Sequence, residues 1–163
     1  MKKTSTLILK AVIVFLGLGV LALCIFALPS AWRGVLVEYP EYPIVVNAFR
    51  LIFLGMYATA IPFYIALYHG LKLLTFIDKG VAFSHASVKA LRTIKLCAVA
   101  IGIIYLGGVP LLLPFAEMDD APGVLLMGFV IACAPIVVSV FAAVLEKLLQ
   151  NAIDIKSEND LTV

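Results

Sequence analysis

The side chains that could carry chemistry in this chain lie outside its long apolar stretches. Four stretches contain no Asp, Glu, Lys, Arg or His: residues 11–28, 51–68, 96–116 and 123–145. Ionisable groups inside a membrane are costly and functional by default. Intramembrane aspartyl hydrolysis, metal-dependent hydrolysis and proton coupling through a carboxylate therefore lack their residues, and Ser139 has no nearby base to activate it. We expect no enzyme activity and no catalytic residue.

The sequence also lacks a set of metal ligands at a suitable spacing. His69 and His85 are 16 residues apart, with no second pair of ligands. Glu117, Asp119 and Asp120 could capture a hard cation, but they belong to no defined binding loop. A solvated acidic turn is the favoured interpretation, and we expect neither a metal nor a cofactor.

The three cysteines, Cys24, Cys97 and Cys133, all lie in apolar stretches and are interpreted as small core hydrophobes. Cys24 and Cys97 belong to opposite membrane depths, roughly 20 Å apart at about 1.5 Å of rise per residue. That separation exceeds the Cα distance of about 7 Å that a disulfide can bridge.

Composition defines the elements that must position these residues. Of the 163 residues, 64% are apolar and only 13% are charged, and the mean hydropathy is +1.14. A soluble domain is about 45–50% apolar and about 25% charged. A soluble enzyme, a disordered regulator and a disulfide-stapled secreted domain are therefore excluded. The net charge of +2 is too balanced to indicate direct nucleic-acid binding.

The four apolar stretches predict an all-α, integral membrane four-helix bundle formed by one domain, because a helix needs about 20 residues to cross the hydrocarbon. The N-terminal apolar run is longer than the core of a signal peptide, so the first span is expected to remain. The expected spans are residues 7–28, 48–69, 96–116 and 123–145, with an inner loop at 70–95 and a tail at 146–163.

The distribution of basic residues predicts the orientation of these spans. Ten of the twelve Lys and Arg residues fall in the N-terminal segment, the 70–95 loop and the tail, whereas only Arg33 and Arg50 fall toward the other side. Basic residues accumulate in short cytoplasmic segments. Both termini are therefore expected to be cytoplasmic.

The inner loop is expected to contain an amphipathic basic helix. Asp78-Lys79-Gly80 predicts a break, and Ser84 is a good N-cap because its hydroxyl can accept from free backbone amides. His85, Lys89 and Arg92 then share one helical face. Contact with anionic lipid headgroups explains such a face; docking of an acidic partner or of the protein's own tail is the alternative.

The tail is expected to continue the fourth span as an amphipathic helix. Its apolar stripe runs from Leu145 to Ile153 at helical spacing. Asp154, Glu158 and Asp160 offer charges complementary to the basic face, and Leu161 belongs to an apolar terminal tripeptide.

Two cytoplasmic motifs resemble a known family. They are Phe76-Ile77-Asp78-Lys79 with Ala82-Phe83-Ser84, and the tail from Ala152 to Val163. Together they resemble the bacterial four-helix membrane proteins called domain of unknown function 2975. The resemblance implies a multi-pass protein of the bacterial cytoplasmic membrane. Members are often encoded beside a small helix-turn-helix regulator, which implies such a transcription factor as a partner.

The expected function is that of a non-enzymatic regulator that binds a cytoplasmic partner. The expected partner-docking or lipid-docking residues are Phe83, Ser84, His85, Lys89, Arg92, Asp154, Glu158, Asp160 and Leu161. One alternative is an immunity or stress-protection protein acting against a peptide toxin through the outer loop. Another is a small transporter subunit, because prolines inside the spans are typical of broken transporter helices. A homo-oligomer is compatible with all three interpretations.

Cysteine labelling in intact cells tests the orientation. In a background without native cysteines, Glu41→Cys or Asp119→Cys should react with a membrane-impermeant reagent, whereas Ser87→Cys or Ser157→Cys should not, because the reagent does not cross the bilayer. Labelling of Ser157→Cys from outside would contradict the four-span topology.

Overall fold

The computed structural model describes the backbone of residues 3–161 and the side chains of residues 5–159. Every regular element in this part of the chain is helical. In chain order these are α1 (Lys3–Ala22), a π-helical segment (Leu23–Ala27), α2 (Leu28–Glu38), α3 (Pro43–Asp78), α4 (His85–Gly108), a 3₁₀ segment (Val109–Leu112), α5 (Leu113–Met118) and α6 (Gly123–Leu161).

These elements form four rods that are long and apolar enough to cross a membrane: Ser5–Glu38, Pro43–Asp78, His85–Met118 and Gly123–Asn159. The all-helical fold with four candidate spans is therefore confirmed. We call α1, the π-helical segment and α2 together the first span. The start of the first rod and the end of the fourth lie at the same end of the four rods as the α3–α4 connection. We call this the termini end, and the opposite end the loop end.

The helices pack in series. The first span packs on α3, α3 packs on α4, and α4 packs on α6, whereas no extensive packing joins the first span to α6 among the described residues. The α4–α6 interface is built from small residues: a Cβ at Gly102 would lie 2.8 Å from Cγ1 of Ile136, and Ala132 is completely buried. Small residues bring helix backbones close together, which is how membrane helices gain packing energy without a hydrophobic driving force.

A π-helical segment in the first span leaves one backbone carbonyl in need of a donor. The amide of Leu28 donates to the Leu23 carbonyl rather than to that of Cys24. A π-type bond to the Cys24 carbonyl would have to come from residue 29, which is Pro29 and has no N–H. The hydroxyl of Tyr57 on α3 donates to the Cys24 carbonyl instead, at 2.8 Å. This bond ties the first span to α3.

A second tyrosine on α3 repeats the arrangement nearer the termini end. The hydroxyl of Tyr64 donates to the Gly17 carbonyl at 2.8 Å. A Cβ at Gly17 would lie 3.1 Å from Cδ2 of Leu67, so the glycine allows close approach of the two helices. The first span is thus held to α3 by two hydroxyl-to-carbonyl bonds about two helical turns apart along α3.

The two ends of the rods are held differently. At the loop end, a chain of aromatic rings joins α2, α3, α5 and the first connection, with neighbouring centroids 5.3–6.3 Å apart. Its members are Trp32, Phe53, Phe49, Phe115 and Tyr39. At the termini end, Lys10 forms an ion pair with Asp78, and Lys95 forms one with Glu146.

Removing the Tyr57 hydroxyl should weaken the attachment of the first span. Tyr57→Phe leaves the Cys24 carbonyl without its donor, and we expect a loss of about 1 kcal/mol in unfolding free energy, the scale of interhelical hydrogen bonds in membranes. Tyr68→Phe is the matched control, because Tyr68 lies on the same helix, is exposed and makes no hydroxyl hydrogen bond among the described residues. Reversible unfolding in lipid–detergent mixtures measures both variants; equal stabilities would contradict this role.

Candidate functional site

At the termini end, the helices extend well beyond the spans expected from hydropathy. α3 continues to Asp78, and α6 runs unbroken to Leu161. α3 ends where Gly80 adopts a positive φ of 72°, a conformation that favours glycine, so the predicted break at Asp78-Lys79-Gly80 is confirmed. The ion pairs Lys10–Asp78 and Lys95–Glu146 connect neighbouring helices at this end.

Ser84 is the N-cap of α4, as its position predicts. Its hydroxyl accepts a hydrogen bond from the Ser87 amide at 3.4 Å and lies 3.2 Å from the Ser87 hydroxyl. Ser87 is 0% exposed, so protection of a cysteine at this position reports burial, and the exposed Ser157 is the informative inner position. Ser84 holds the start of the basic helix, while the neighbouring Phe83 is 65% exposed and available for contact.

Of the tail acids whose charges complement the basic face, Asp154 is placed away from that face. His85, Lys89 and Arg92 are all exposed on α4. Asp154 accepts a hydrogen bond from Gln150 within α6 at 2.9 Å, and no ion pair among the described side chains joins it to the basic face. The described ion pair between α4 and α6 is Lys95–Glu146, and α6 continues from there as a helix to Leu161 without folding back.

The remaining tail residues of the expected site lie at or beyond the last side chain that the structure describes, that of residue 159. Glu158 is exposed near the end of α6 and takes part in an interaction of its own. Asp160 and Leu161 belong to α6 by their backbone, but their side chains lie outside the described residues. The side-chain contacts expected for these two residues stay predictions.

A basic pocket between α3 and α4 is a feature that sequence reasoning missed. His69 and Lys72 on α3 and Lys89 on α4 line a cavity of about 270 Å³, together with Ala86 and Ala90. Nδ1 of His69 donates to its own helix, to the Ile65 carbonyl at 2.9 Å, which leaves Nε2 available to a ligand. The three-residue spacing of His69 and Lys72 places them on one face of α3, but only the hairpin geometry brings Lys89 opposite.

A larger apolar cavity of about 790 Å³ lies among the four spans, where the first span and α6 do not pack together. Its polar groups are few. Thr59 donates to the Met56 carbonyl at 2.8 Å, and its hydroxyl oxygen lies 3.4 Å from that of Tyr105. Such a lining suits an apolar occupant and offers no charged group for chemistry.

The loop end concentrates acidic and aromatic groups. The ring of Tyr39 packs edge-on against Phe115 at 5.8 Å. Desolvation, followed by the negative charges of Asp119 and Glu38, raises the pKa of the Tyr39 phenol. Among the described residues, no group of three or more His, Cys, Asp or Glu side chains is placed to hold a metal ion.

Losing the α4 cap should loosen the start of the basic helix. Ser84→Ala removes the acceptor of the Ser87 amide, and N-cap losses of this kind cost about 1 kcal/mol. We expect faster hydrogen exchange at the amides of residues 86–88 and unchanged exchange in α6. Ser84→Asp, which keeps a side-chain acceptor, should restore protection. Equal exchange in Ser84→Ala and the parent protein would show that the cap does not stabilise this turn.

Comparison with known proteins agrees with this architecture and leaves the activity open. Residues 34–163 match the model of a family described as "Protein of unknown function (DUF2975)". The chain is 51% identical over 163 residues, all of both chains, to the "Uncharacterized membrane protein YoaS" of Bacillus subtilis (strain 168). No solved structure matches. The resemblance to this family is confirmed: the chain belongs to the DUF2975 family of proteins of unknown function.

Proposed function

We propose that this protein is a non-enzymatic regulator of the bacterial cytoplasmic membrane, with both termini inside, that binds a cytoplasmic partner at its termini end. The observation that carries the proposal is the length of α6. Its 39 residues extend about 58 Å at about 1.5 Å per residue, whereas the hydrocarbon core is about 30 Å thick. Because the loop end of α6 begins at Gly123, most of the excess length projects from the termini end.

The projecting part of α6 presents apolar side chains that the fold does not cover. Leu148 is 59% exposed and Ile155 is 61% exposed. Short helices are marginal in water without packing, and exposed apolar groups on such a helix favour an interface. A partner helix packed along α6 supplies the missing contacts.

Charge supports both the orientation and the class of partner. Ten basic residues belong to the termini end or its adjoining segments, against two, Arg33 in α2 and Arg50 in α3, toward the loop end, which favours a cytoplasmic termini end. His85, Lys89 and Arg92 on α4 are exposed, so the surface beside α6 suits an acidic partner face. The family resemblance implies a helix-turn-helix transcription factor in this role.

The proposed docking residues divide by function. Ser84 positions α4 through its cap, whereas Phe83, His85, Lys89 and Arg92 offer the α4 contact surface. On α6, Asp154, Glu158, Asp160 and Leu161 extend the surface toward the C-terminus. Binding at this end holds the partner at the membrane, away from its cytoplasmic target.

The larger apolar cavity of about 790 Å³ favours one second candidate, a small transporter subunit, because all four spans line it. Its apolar lining suits an apolar substrate. Transport would depend on this cavity and would not require the tail beyond Asp154, so the two candidates differ in what a truncation does.

Deleting residues 155–163 should abolish partner binding while leaving the membrane-embedded part intact, because the four uncharged apolar stretches and both ion pairs precede the deletion. Ile155→Gln should weaken binding on its own, since it removes an exposed apolar contact. Lys156→Gln is the neighbouring control and should have little effect. The measurement is partner recovery by affinity purification from native membranes and mass spectrometry, normalised to membrane level and helical circular dichroism.

Full partner recovery by the truncated protein would contradict a docking role for the tail. Loss of membrane insertion would contradict it as well, because the tail would then be a folding element. Normal insertion and normal partner recovery combined with a transport defect in cavity-filling variants would favour the transporter.

A further inference from the structure

We propose that the basic pocket of His69, Lys72 and Lys89 binds the phosphate group of an anionic phospholipid. The three side chains come from two helices and surround a cavity of about 270 Å³ in which no carboxylate takes part. The two ammonium groups, one from each helix, supply N–H donors from different directions, as phosphate recognition requires. The other lining residues, Ala86 and Ala90, are small and leave the centre open.

The lysines of this pocket differ from their neighbours at the same end. Lys10 and Lys95 are paired with Asp78 and Glu146. Lys72 and Lys89 form no ion pair among the described residues, and the Lys72 ammonium lies 5.8 Å from the centre of the Phe76 ring. Two like charges facing one cavity repel each other, so an external anion is the group that compensates them.

The surface below the pocket indicates that this anion is attached to acyl chains. On α3, exposed apolar residues lead to Lys72 at spacings of four, three and four residues: Ile61, Ile65 and Tyr68. On α4, a second exposed apolar line follows Lys89 and Arg92 at the same periodicity: Leu96, Val99 and Ile103. Side chains at these spacings lie along one face of each helix.

The pocket therefore lies at the head of two parallel apolar stripes on adjacent helices. A lipid phosphate can occupy the pocket while its chains follow the stripes into the hydrocarbon. Basic pockets between membrane helices bind anionic headgroups in this way. A free phosphate ion would use the pocket and leave the stripes without a role. The inference concerns lipid and does not depend on the proposed cytoplasmic partner.

Native mass spectrometry of the full chain in detergent tests the proposal, with dioleoyl phosphatidylglycerol and dioleoyl phosphatidylcholine as probes. We expect the anionic lipid to bind preferentially. The double variant Lys72→Gln/Lys89→Gln should bind it roughly 25-fold more weakly, from a roughly fivefold effect for each lysine. The control Lys79→Gln/Lys147→Gln removes the same charge from the same end and should keep nearly all of the binding.

Two further arms separate the pocket from general charge and from free phosphate. Lys72→Arg/Lys89→Arg should retain binding, which shows that the charge at these positions matters and that the helices still fold. Millimolar inorganic phosphate should fail to displace the lipid. Equal losses in both glutamine double variants would overturn the site, and displacement by inorganic phosphate would overturn the lipid as its occupant.

Discussion

The hydrocarbon interior of a membrane contains no water to satisfy a backbone group, and the packing of this protein depends on how it meets that constraint. The critical point is the Cys24 carbonyl, which the π-helical segment and Pro29 leave without a backbone donor. Tyr57 donates to it from α3, and Tyr64 donates to the Gly17 carbonyl. Among the described residues the first span packs on α3 and has no extensive packing on α6, so these bonds strengthen its attachment to a single neighbour.

This serial packing separates an apolar interior among the spans from the two ends of the molecule, where charged groups lie. Among the described residues the first span and α6 do not pack extensively, and a large apolar cavity remains there among the spans. Charged groups are excluded from that interior and gather at the two ends, where ion pairs hold one end and aromatic rings hold the other. The termini end alone combines long helical projections, exposed basic side chains and a charged pocket. We therefore propose that recognition takes place at this end.

Sequence reasoning succeeded where a local signal determines the structure. Apolar stretches predicted the four spans, Gly80 marked the end of α3, and Ser84 marked the start of α4. The continuation of α6 into the tail was predicted and is confirmed, although hydropathy alone reports how much of a helix fits in lipid and not where the helix ends. Sequence reasoning failed where the answer depends on contacts between distant residues. Because the spans are apolar on most faces, no periodicity revealed which helices are neighbours. His69 and Lys72 were overlooked because Lys89 joins them only through the hairpin.

The central claim is that α6 leaves the membrane as an ordered helix and forms the recognition surface. Spin labels introduced one at a time from residue 141 to residue 159, in liposomes, test it through their accessibility to oxygen and to a water-soluble nickel chelate. We expect the accessibility of the labels to vary with a helical period throughout. Access should shift from oxygen to the nickel chelate near Glu146, and backbone mobility should stay low beyond it. High mobility without periodicity after Glu146, or oxygen-dominated access up to residue 159, would contradict the claim.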